Sequence, residues 1–229
     1  MNRIANFVLM LLALSLFATT ASADWSDDFD TYATGSGLIG QGGWEGWGDG
    51  TTDAIVSSTF ALSAPNSVSI LPTSDVIHQF YGYDHDLVII SAWLYIPSGS
   101  TGEQYFILLD TYDHGGTTNN WALQLNFEGG QVESQFDEVF YPTVYDQWAE
   151  LRVQIDLELN DMQVFYNGAM FLQKPWTAGV NNDYVGDLNV ACLDLFSNGG
   201  STVYWDDITL VWLTTSVEES SFSKVKSLY

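Results

Sequence analysis

Apolar and polar residues alternate with a period of two through most of the chain, which predicts β-strands. Apolar residues occupy every second position from Trp121 to Phe127 and again from Leu151 to Leu159. The apolar run Leu87–Ile96 is nearly continuous and ends at Pro97, which is typical of a central strand covered on both faces. No segment between residues 24 and 213 keeps the apolar period of a helix over three turns. The pattern therefore predicts a domain that is nearly all β.

Turn signals separate these strands and favour antiparallel pairing. Gly129-Gly130, Asn167-Gly168 and Asn198-Gly199-Gly200 each lie between two apolar runs and predict three hairpins, because glycine and asparagine tolerate the positive φ of tight turns. About a dozen short strands joined in this way fit a jelly roll. We predict a single all-β domain at residues 24–213, a β-sandwich of two antiparallel sheets.

The two ends of the chain differ from this domain. An apolar run from Phe7 to Ala18 is followed by Ala21-Ser22-Ala23, which predicts a secretory signal peptide at residues 1–23. The run is too short to span a bilayer, so membrane insertion is not expected. At residues 214–229, the sequence Ser216-Val217-Glu218-Glu219 matches a capping box, and either a short helix or a frayed terminus fits this tail.

Composition and charge exclude several classes of partner. Asp and Glu number 29 against 5 Lys and Arg, a formal net charge of −24. Such a surface does not neutralise phosphates, so nucleic acid and anionic lipid are not expected as partners. Cys192 is the sole cysteine, so an intrachain disulfide is impossible, and its strand-like surroundings favour a buried, unreactive thiol.

Several segments resemble secreted bacterial domains of the concanavalin A-like lectin/glucanase and laminin-G-like jelly-roll superfamily. They are Asp27-Asp28-Phe29-Asp30, the stretch 63–70, the stretch from Gln147-Trp148 to Asp156, Phe165-Tyr166-Asn167-Gly168 and Tyr204-Trp205-Asp206-Asp207-Ile208. The resemblance implies the jelly-roll fold over residues 24–213. Members include glycan-binding modules, glycosidases, polysaccharide lyases and adhesion domains, so it does not select a ligand.

The catalytic residues typical of enzymes in this superfamily are incomplete in the sequence. Its retaining glycosidases carry Glu-x-Asp-x-Glu on one strand, and the nearest match here is Gln154-Ile155-Asp156-Leu157-Glu158. Because Gln154 replaces the nucleophilic carboxylate, the pattern favours a solvated strand face. A lyase acting on uronates requires cations to neutralise the substrate carboxylate. The domain body has only Arg152 and Lys174, which argues against a lyase.

The resemblance also implies a calcium site. In similar jelly rolls the first and last strands often pair, and acidic residues from both can bind structural Ca²⁺. Here Asp28 and Asp30 would meet Asp206 or Asp207. A hard cation prefers oxygen ligands and would relieve the repulsion among these carboxylates. Alternatively, these acids cap edge strands without a metal.

Aromatic residues in glycine-rich or loop segments suggest sugar binding, because sugar faces stack on flat rings and polar side chains bind the hydroxyls. Trp44 and Trp47 lie in a glycine-rich segment, and Trp121 follows a polar loop. We predict these three as a platform, with Asp110 and Tyr112 as polar contacts. In the alternative interpretation, the indoles fold back and fill the ends of the sandwich.

The sequence thus favours an exported, monomeric, calcium-stabilised β-sandwich that binds a neutral polysaccharide or cell-surface glycan without cleaving it. Two alternatives stay open: a glycosidase or lyase that uses an unrecognised carboxylate pair, and a structural or adhesion domain without glycan specificity.

Overall fold

The structure, a computed structural model, describes residues 24–214. The predicted signal peptide at 1–23 lies outside the described residues, and so does the predicted tail helix. In chain order the strands are β1 (Trp25–Asp27), β2 (Trp44–Gly46), β3 (Ile55–Ser57), β4 (Ser67–Ile70), β5 (Asp75–Gln79), β6 (Leu87–Tyr95), β7 (Glu103–Thr111), β8 (Asn120–Glu128), β9 (Gln131–Ser134), β10 (Val139–Pro142), β11 (Trp148–Asp156), β12 (Asp161–Tyr166), β13 (Ala169–Lys174), β14 (Cys192–Asn198) and β15 (Val203–Leu213). Single 3₁₀ turns occur at Trp47–Asp49 and Trp176–Ala178.

The strands form two antiparallel sheets, which confirms the predicted β-sandwich jelly roll. The eight-stranded sheet has the order β13-β12-β11-β6-β15-β4-β3, and β1 also pairs with β15. The seven-stranded sheet has the order β10-β9-β8-β7-β14-β5-β2. The first and last strands pair as expected, with Trp25 opposite Leu210 and Asp27 opposite Ile208.

The core lies between the sheets and is built from every second residue of the facing strands. Strand β6 directs Val88, Ile90, Ala92 and Leu94 inwards, and all four are at most 1% exposed. Trp205 of β15 is equally buried, and its ring packs 5.4 Å from the ring of Phe106 in the other sheet. This alternation explains why the strand pattern can be read from the sequence.

Two of the three predicted hairpins are confirmed. Glu128 pairs with Gln131 around Gly129-Gly130, and Tyr166 pairs with Ala169 around Asn167-Gly168. Asn167 has a φ of 49° and Gly168 a φ of 81°, the positive values that a type I′ turn requires.

The third predicted hairpin, at Asn198-Gly199-Gly200, is wrong. Strand β14 before it pairs with β5 and β7 in the seven-stranded sheet, whereas β15 after it belongs to the eight-stranded sheet. The glycines therefore make a crossing between the sheets. A turn signal reports a change of direction, but it does not determine which sheet the next strand joins.

Strand β6 is central, between β11 and β15, but it is not covered on both faces as predicted. Its burial alternates strictly, so Leu87, Ile89, Ser91, Trp93 and Tyr95 are only partly buried. The continuous apolar run reflects partly exposed apolar side chains on the outward face of the sheet. The predicted strand at 151–159 is also too long: β11 ends at Asp156, and Leu159 is 76% exposed in the following turn.

Candidate functional site

The outward face of the seven-stranded sheet carries a second apolar cluster, separate from the core. Its buried members are Ile77, Tyr105, Ile107, Leu109 and Cys192. Trp47, Tyr112, Trp121 and Phe196 pack against them. Because these residues alternate with core-facing ones along their strands, the other sheet does not cover them. An aromatic face that is left uncovered is typical of a binding surface.

A cleft of about 430 Å³ lies on this face. We call it the tryptophan cleft; it is lined by Trp47, Asp75, Ile107, Asn119, Trp121, Gln124, Asp194 and Phe196. Three aromatic rings and Ile107 are the apolar half of its lining, and amide and carboxyl groups supply hydrogen-bonding positions between them. Such a mixture is the usual composition of a small-molecule or sugar site.

The two indoles at the cleft are held parallel. The ring centroids of Trp47 and Trp121 are 5.8 Å apart with an interplanar angle of 23°, and Tyr112 meets Trp47 edge-on at 5.1 Å. The 3₁₀ turn positions Trp47, and the backbone N–H of Gly48 donates to the Tyr112 hydroxyl at 3.1 Å. The chain is tight here, since a Cβ at Gly46 would lie 1.9 Å from a backbone oxygen.

A β-bulge directs Trp121 into the cleft. Leu108 pairs with Leu123, but Leu109 pairs with Trp121, so Ala122 is an extra residue in β8. Leu123 and Ala122 are both fully buried in the core cluster, whereas Trp121 belongs to the outward cluster. The bulge therefore reverses the direction that simple alternation gives to Trp121, as bulges near binding sites commonly do.

Two carboxyl groups at the floor of the cleft are candidate functional residues that sequence reasoning missed. Asp75 on β5 and Asp194 on β14 both line the cleft, and an Oδ1 atom of each is buried without a hydrogen-bond partner among the described residues. Burial raises the pKa of Asp75 to about 6. Burial, and secondarily the charge of Asp75, raise the pKa of Asp194 well above its usual range. The available signal was an acid inside an apolar strand, Leu193-Asp194-Leu195.

The predicted polar residues Asp110 and Tyr112 lie beside the tryptophan cleft. Both line an adjoining hollow of about 260 Å³ together with Gln79, Tyr81 and Asp187. Asp110 is fully buried, and its Oδ2 accepts a hydrogen bond from Asn120 Nδ2 at 2.7 Å. Burial raises the pKa of Asp110. Tyr112, in contact with Trp47, connects this hollow with the cleft.

The prediction that Trp44 belongs to the platform is wrong. Trp44 lies in β2 opposite His78, is 1% exposed and belongs to the core cluster. Its indole Nε1 donates to Asp27 Oδ2 at 2.8 Å. The alternative interpretation, an indole that fills the end of the sandwich, holds for Trp44. A short strand within the glycine-rich segment turns Trp44 inwards and leaves only Trp47 outside.

The four aspartates predicted to bind calcium have separate hydrogen-bond partners. Asp206 is fully buried and accepts from the backbone N–H groups of Leu62 and Asp207. Asp30 accepts from the N–H of Asn66, so both acids hold the segment at 62–66. Asp28 and Asp207 share a different hollow of about 470 Å³ on the eight-stranded sheet. Within residues 24–214, no group of three His, Cys, Asp or Glu side chains is arranged to hold a metal ion.

The superfamily-like pattern Gln154–Glu158 lies away from the tryptophan cleft. Strand β11 belongs to the eight-stranded sheet, where Gln154 pairs with Gln163. Asp156 Oδ1 accepts the backbone N–H of Leu159 at 2.8 Å and so closes the following turn. These residues therefore have a structural role at a distance from the candidate site.

Solved structures with this fold include proteins connected with carbohydrates. "Cellulose induced protein, Cip1" is similar over 82% of this chain and 97% of its own, with 14% identity and a TM-score of 0.56. A "Sialidase" is similar over 86% of this chain but 19% of its own, with 11% identity and a TM-score of 0.55. The C-terminal family 22 carbohydrate-binding module of Clostridium thermocellum Xyn10B is similar over 87% of this chain, with 11% identity and a TM-score of 0.45. For the first two structures, identities this low show a shared fold alone.

No protein-family model matches the chain, and no curated protein matches it in sequence. Within the part of the chain that the structure describes, no helix is long and apolar enough to cross a membrane.

Proposed function

We propose that this protein is an exported, monomeric module that binds a neutral polysaccharide or cell-surface glycan in the tryptophan cleft. The observation that carries the proposal is the parallel pair Trp47 and Trp121, 5.8 Å apart above an apolar sheet face. Sugar rings present flat C–H faces that pack on such indoles, and polar groups between the rings can bind hydroxyls.

The charge of the cleft favours a glycan without acidic groups. Asp75 and Asp194 line it, and the two Lys and Arg residues of the described chain lie elsewhere. Arg152 stacks on Phe165 and Lys174 pairs with Asp137. A uronate or sulfated sugar would bring a negative charge next to these carboxyl groups, with no cation to compensate it. A neutral sugar brings no such charge. The fold shared with a "Cellulose induced protein" and a "Sialidase" agrees with a carbohydrate ligand, although fold alone does not determine it.

The test is glycan-array and calorimetric binding with single substitutions. Trp47→Ala and Trp121→Ala should each weaken binding by at least about 30-fold, as expected of an aromatic residue central to a binding site. Trp93→Ala, on the outward face of the other sheet, is the matched control and should leave binding unchanged. Binding that survives both cleft substitutions would contradict the proposed site.

We propose as a companion a structural calcium ion in the hollow that Asp28 and Asp207 share, with backbone carbonyl and water oxygens as its other ligands. Asp27 lines the same hollow, but its oxygens already accept hydrogen bonds from Tyr32, Trp44 and Phe29. Carboxylate oxygens without basic partners suit this ion. Calcium should raise the midpoint of thermal unfolding and a chelator should lower it. The proposal fails if Asp207→Asn leaves this calcium effect unchanged.

Cleavage of the bound glycan is a second candidate function, favoured by the carboxyl pair Asp75 and Asp194 in the cleft. A carboxyl group with a raised pKa can donate a proton to the leaving oxygen, and the second can activate water. New reducing ends that appear with the native protein and not with Asp194→Asn would establish this activity. Binding without new reducing ends would restrict the protein to recognition.

A further inference from the structure

Asp75 and Asp194 are neighbours on the outward face of two paired strands. In the β5–β14 register, Asp75 lies opposite Phe196 and Asp194 lies opposite Ile77. The two acids are therefore diagonal neighbours on the same face, a relationship that separates backbone positions by roughly 7–8 Å. A small group placed over the sheet between them can contact both.

Neither acid has its buried oxygen satisfied. Asp194 is 4% exposed, and no hydrogen bond from the described residues reaches its Oδ1 or that of Asp75. Neither acid takes part in an ion pair of the described residues; the imidazole of His114 lies against Glu45 and Asp49 instead, at 3.2 and 3.1 Å. A buried carboxyl oxygen without a partner is costly, so two of them in a cleft indicate a ligand that supplies donors.

The chemistry of the cleft selects the kind of donor. A protonated amine brings three N–H donors and a positive charge, which neutral hydroxyls lack. The indoles of Trp47 and Trp121 also attract cations through their ring faces. A metal ion suits the place less well, because Trp47, Trp121, Phe196 and Ile107 supply apolar walls where a hydrated cation needs oxygen ligands.

We propose that the tryptophan cleft selects glycans that carry a free amino group, with the ammonium of one sugar bound between Asp75 and Asp194 while neighbouring rings stack on Trp47 and Trp121. This inference rests on the proposed glycan-binding function and names its ligand class. The ligand would be a glucosamine polymer, which replaces the neutral glycan of the proposed function by one with charged amino groups, and the ammonium of one unit would lie over the acids.

The test is calorimetry on the full chain with glucosamine oligomers, N-acetylglucosamine oligomers of equal length and cello-oligomers, at high salt to screen long-range attraction. The glucosamine oligomers should bind at least about tenfold tighter than the acetylated ones. Asp194→Asn and Asp75→Asn should remove this preference and retain binding of the acetylated oligomers. Glu158→Gln, which removes one charge from the exposed turn after β11, should retain the preference.

Each other outcome contradicts the inference. If all three oligomers bind with equal affinity and Trp47→Ala abolishes that binding, the proposed glycan binding stands and the amine preference is overturned. A preference that survives Asp194→Asn, or that Glu158→Gln weakens equally, would identify nonspecific attraction to an acidic protein. No binding of any glycan, on a broad array as well, would overturn the proposed function together with this inference.

Discussion

The indole of Trp44 and the carboxylate of Asp27 are joined by a hydrogen bond of 2.8 Å from Nε1 to Oδ2. The same Oδ2 accepts the Tyr32 hydroxyl at 2.7 Å, and Oδ1 accepts the backbone N–H of Phe29 at 2.8 Å. Asp27, which is 7% exposed, thus connects β1 with β2 across the two sheets. Trp44, which the sequence predicts to be part of a sugar platform, instead stabilises the fold.

Asp27→Ala should therefore destabilise the protein by about 3 kcal/mol, because three donors lose a charged acceptor and two of them lie on largely buried groups. Urea unfolding followed by tryptophan fluorescence would measure the loss. With a chelator present, so that the calcium ion proposed at Asp28 and Asp207 makes no contribution, Asp28→Ala at the neighbouring exposed position should change stability by less than about 0.5 kcal/mol. Equal effects at the two positions would contradict the role assigned to Asp27.

Substitutions at Trp44 and at Trp47 should separate stability from binding, although only two residues lie between them in the sequence. Trp44→Ala should cost about 3–5 kcal/mol of folding stability, because it opens a cavity in the core. Trp47→Ala should cost much less, since its ring is partly exposed, and it should weaken glycan binding. Unfolding curves and binding isotherms on the same variants check this. A Trp44 variant that folds normally but does not bind glycan would reverse the two assignments.

The sequence predicted the strands well because a sandwich enforces alternation along each strand. The sequence could not predict the aromatic site fully, because the sheet face to which each indole points depends on local departures from the alternation. The extra residue Ala122 turns Trp121 outwards, and the three-residue strand β2 turns Trp44 inwards. Asp75 and Asp194 lie far apart in sequence and meet only because β5 pairs with β14. No spacing rule along one strand relates them.

The cleft carboxyl groups should make stability depend on pH. An unfolded Asp releases its proton near pH 4, whereas folded Asp75 holds it to about pH 6. Between these values the folded state binds more protons, so stability falls as pH rises through this window. Burial also raises the pKa of Asp194 well above its usual range, which extends the loss to higher pH.

Asp75→Asn and Asp194→Asn should consequently stabilise the free protein at neutral pH, by up to about 3 kcal/mol for Asp75. Both should have little effect near pH 4, where the native carboxyls are protonated. Thermal unfolding across this range provides the measurement, and Glu158→Gln serves as the control with the same charge change. A gain in stability as large at pH 4 as at pH 7 would argue against titration of these groups.

Lys174 and Asp137 form an ion pair of 2.7 Å, and each side chain is 9% exposed. The Lys174 ammonium also donates to the carbonyl of Gly179, and Asp137 accepts from Ser134 and Asn182. The pair thus connects the end of β13 and the following loop with the turn after β9. Lys174 is therefore not a free cation for an acidic substrate, because Asp137 already balances its charge within the fold.

Breaking this pair should be costly, whereas removing both charges should be tolerated. Lys174→Met should destabilise the protein by about 3–5 kcal/mol, because it leaves Asp137 with a largely buried, uncompensated charge. In the double variant Lys174→Met, Asp137→Asn, much of this loss should be recovered, since no buried charge remains. Urea unfolding of the native protein, both single variants and the double variant gives the coupling energy between the two positions. Additive losses would mean that the two side chains stabilise the loop independently, through Gly179 and Ser134, without a coupled ion pair.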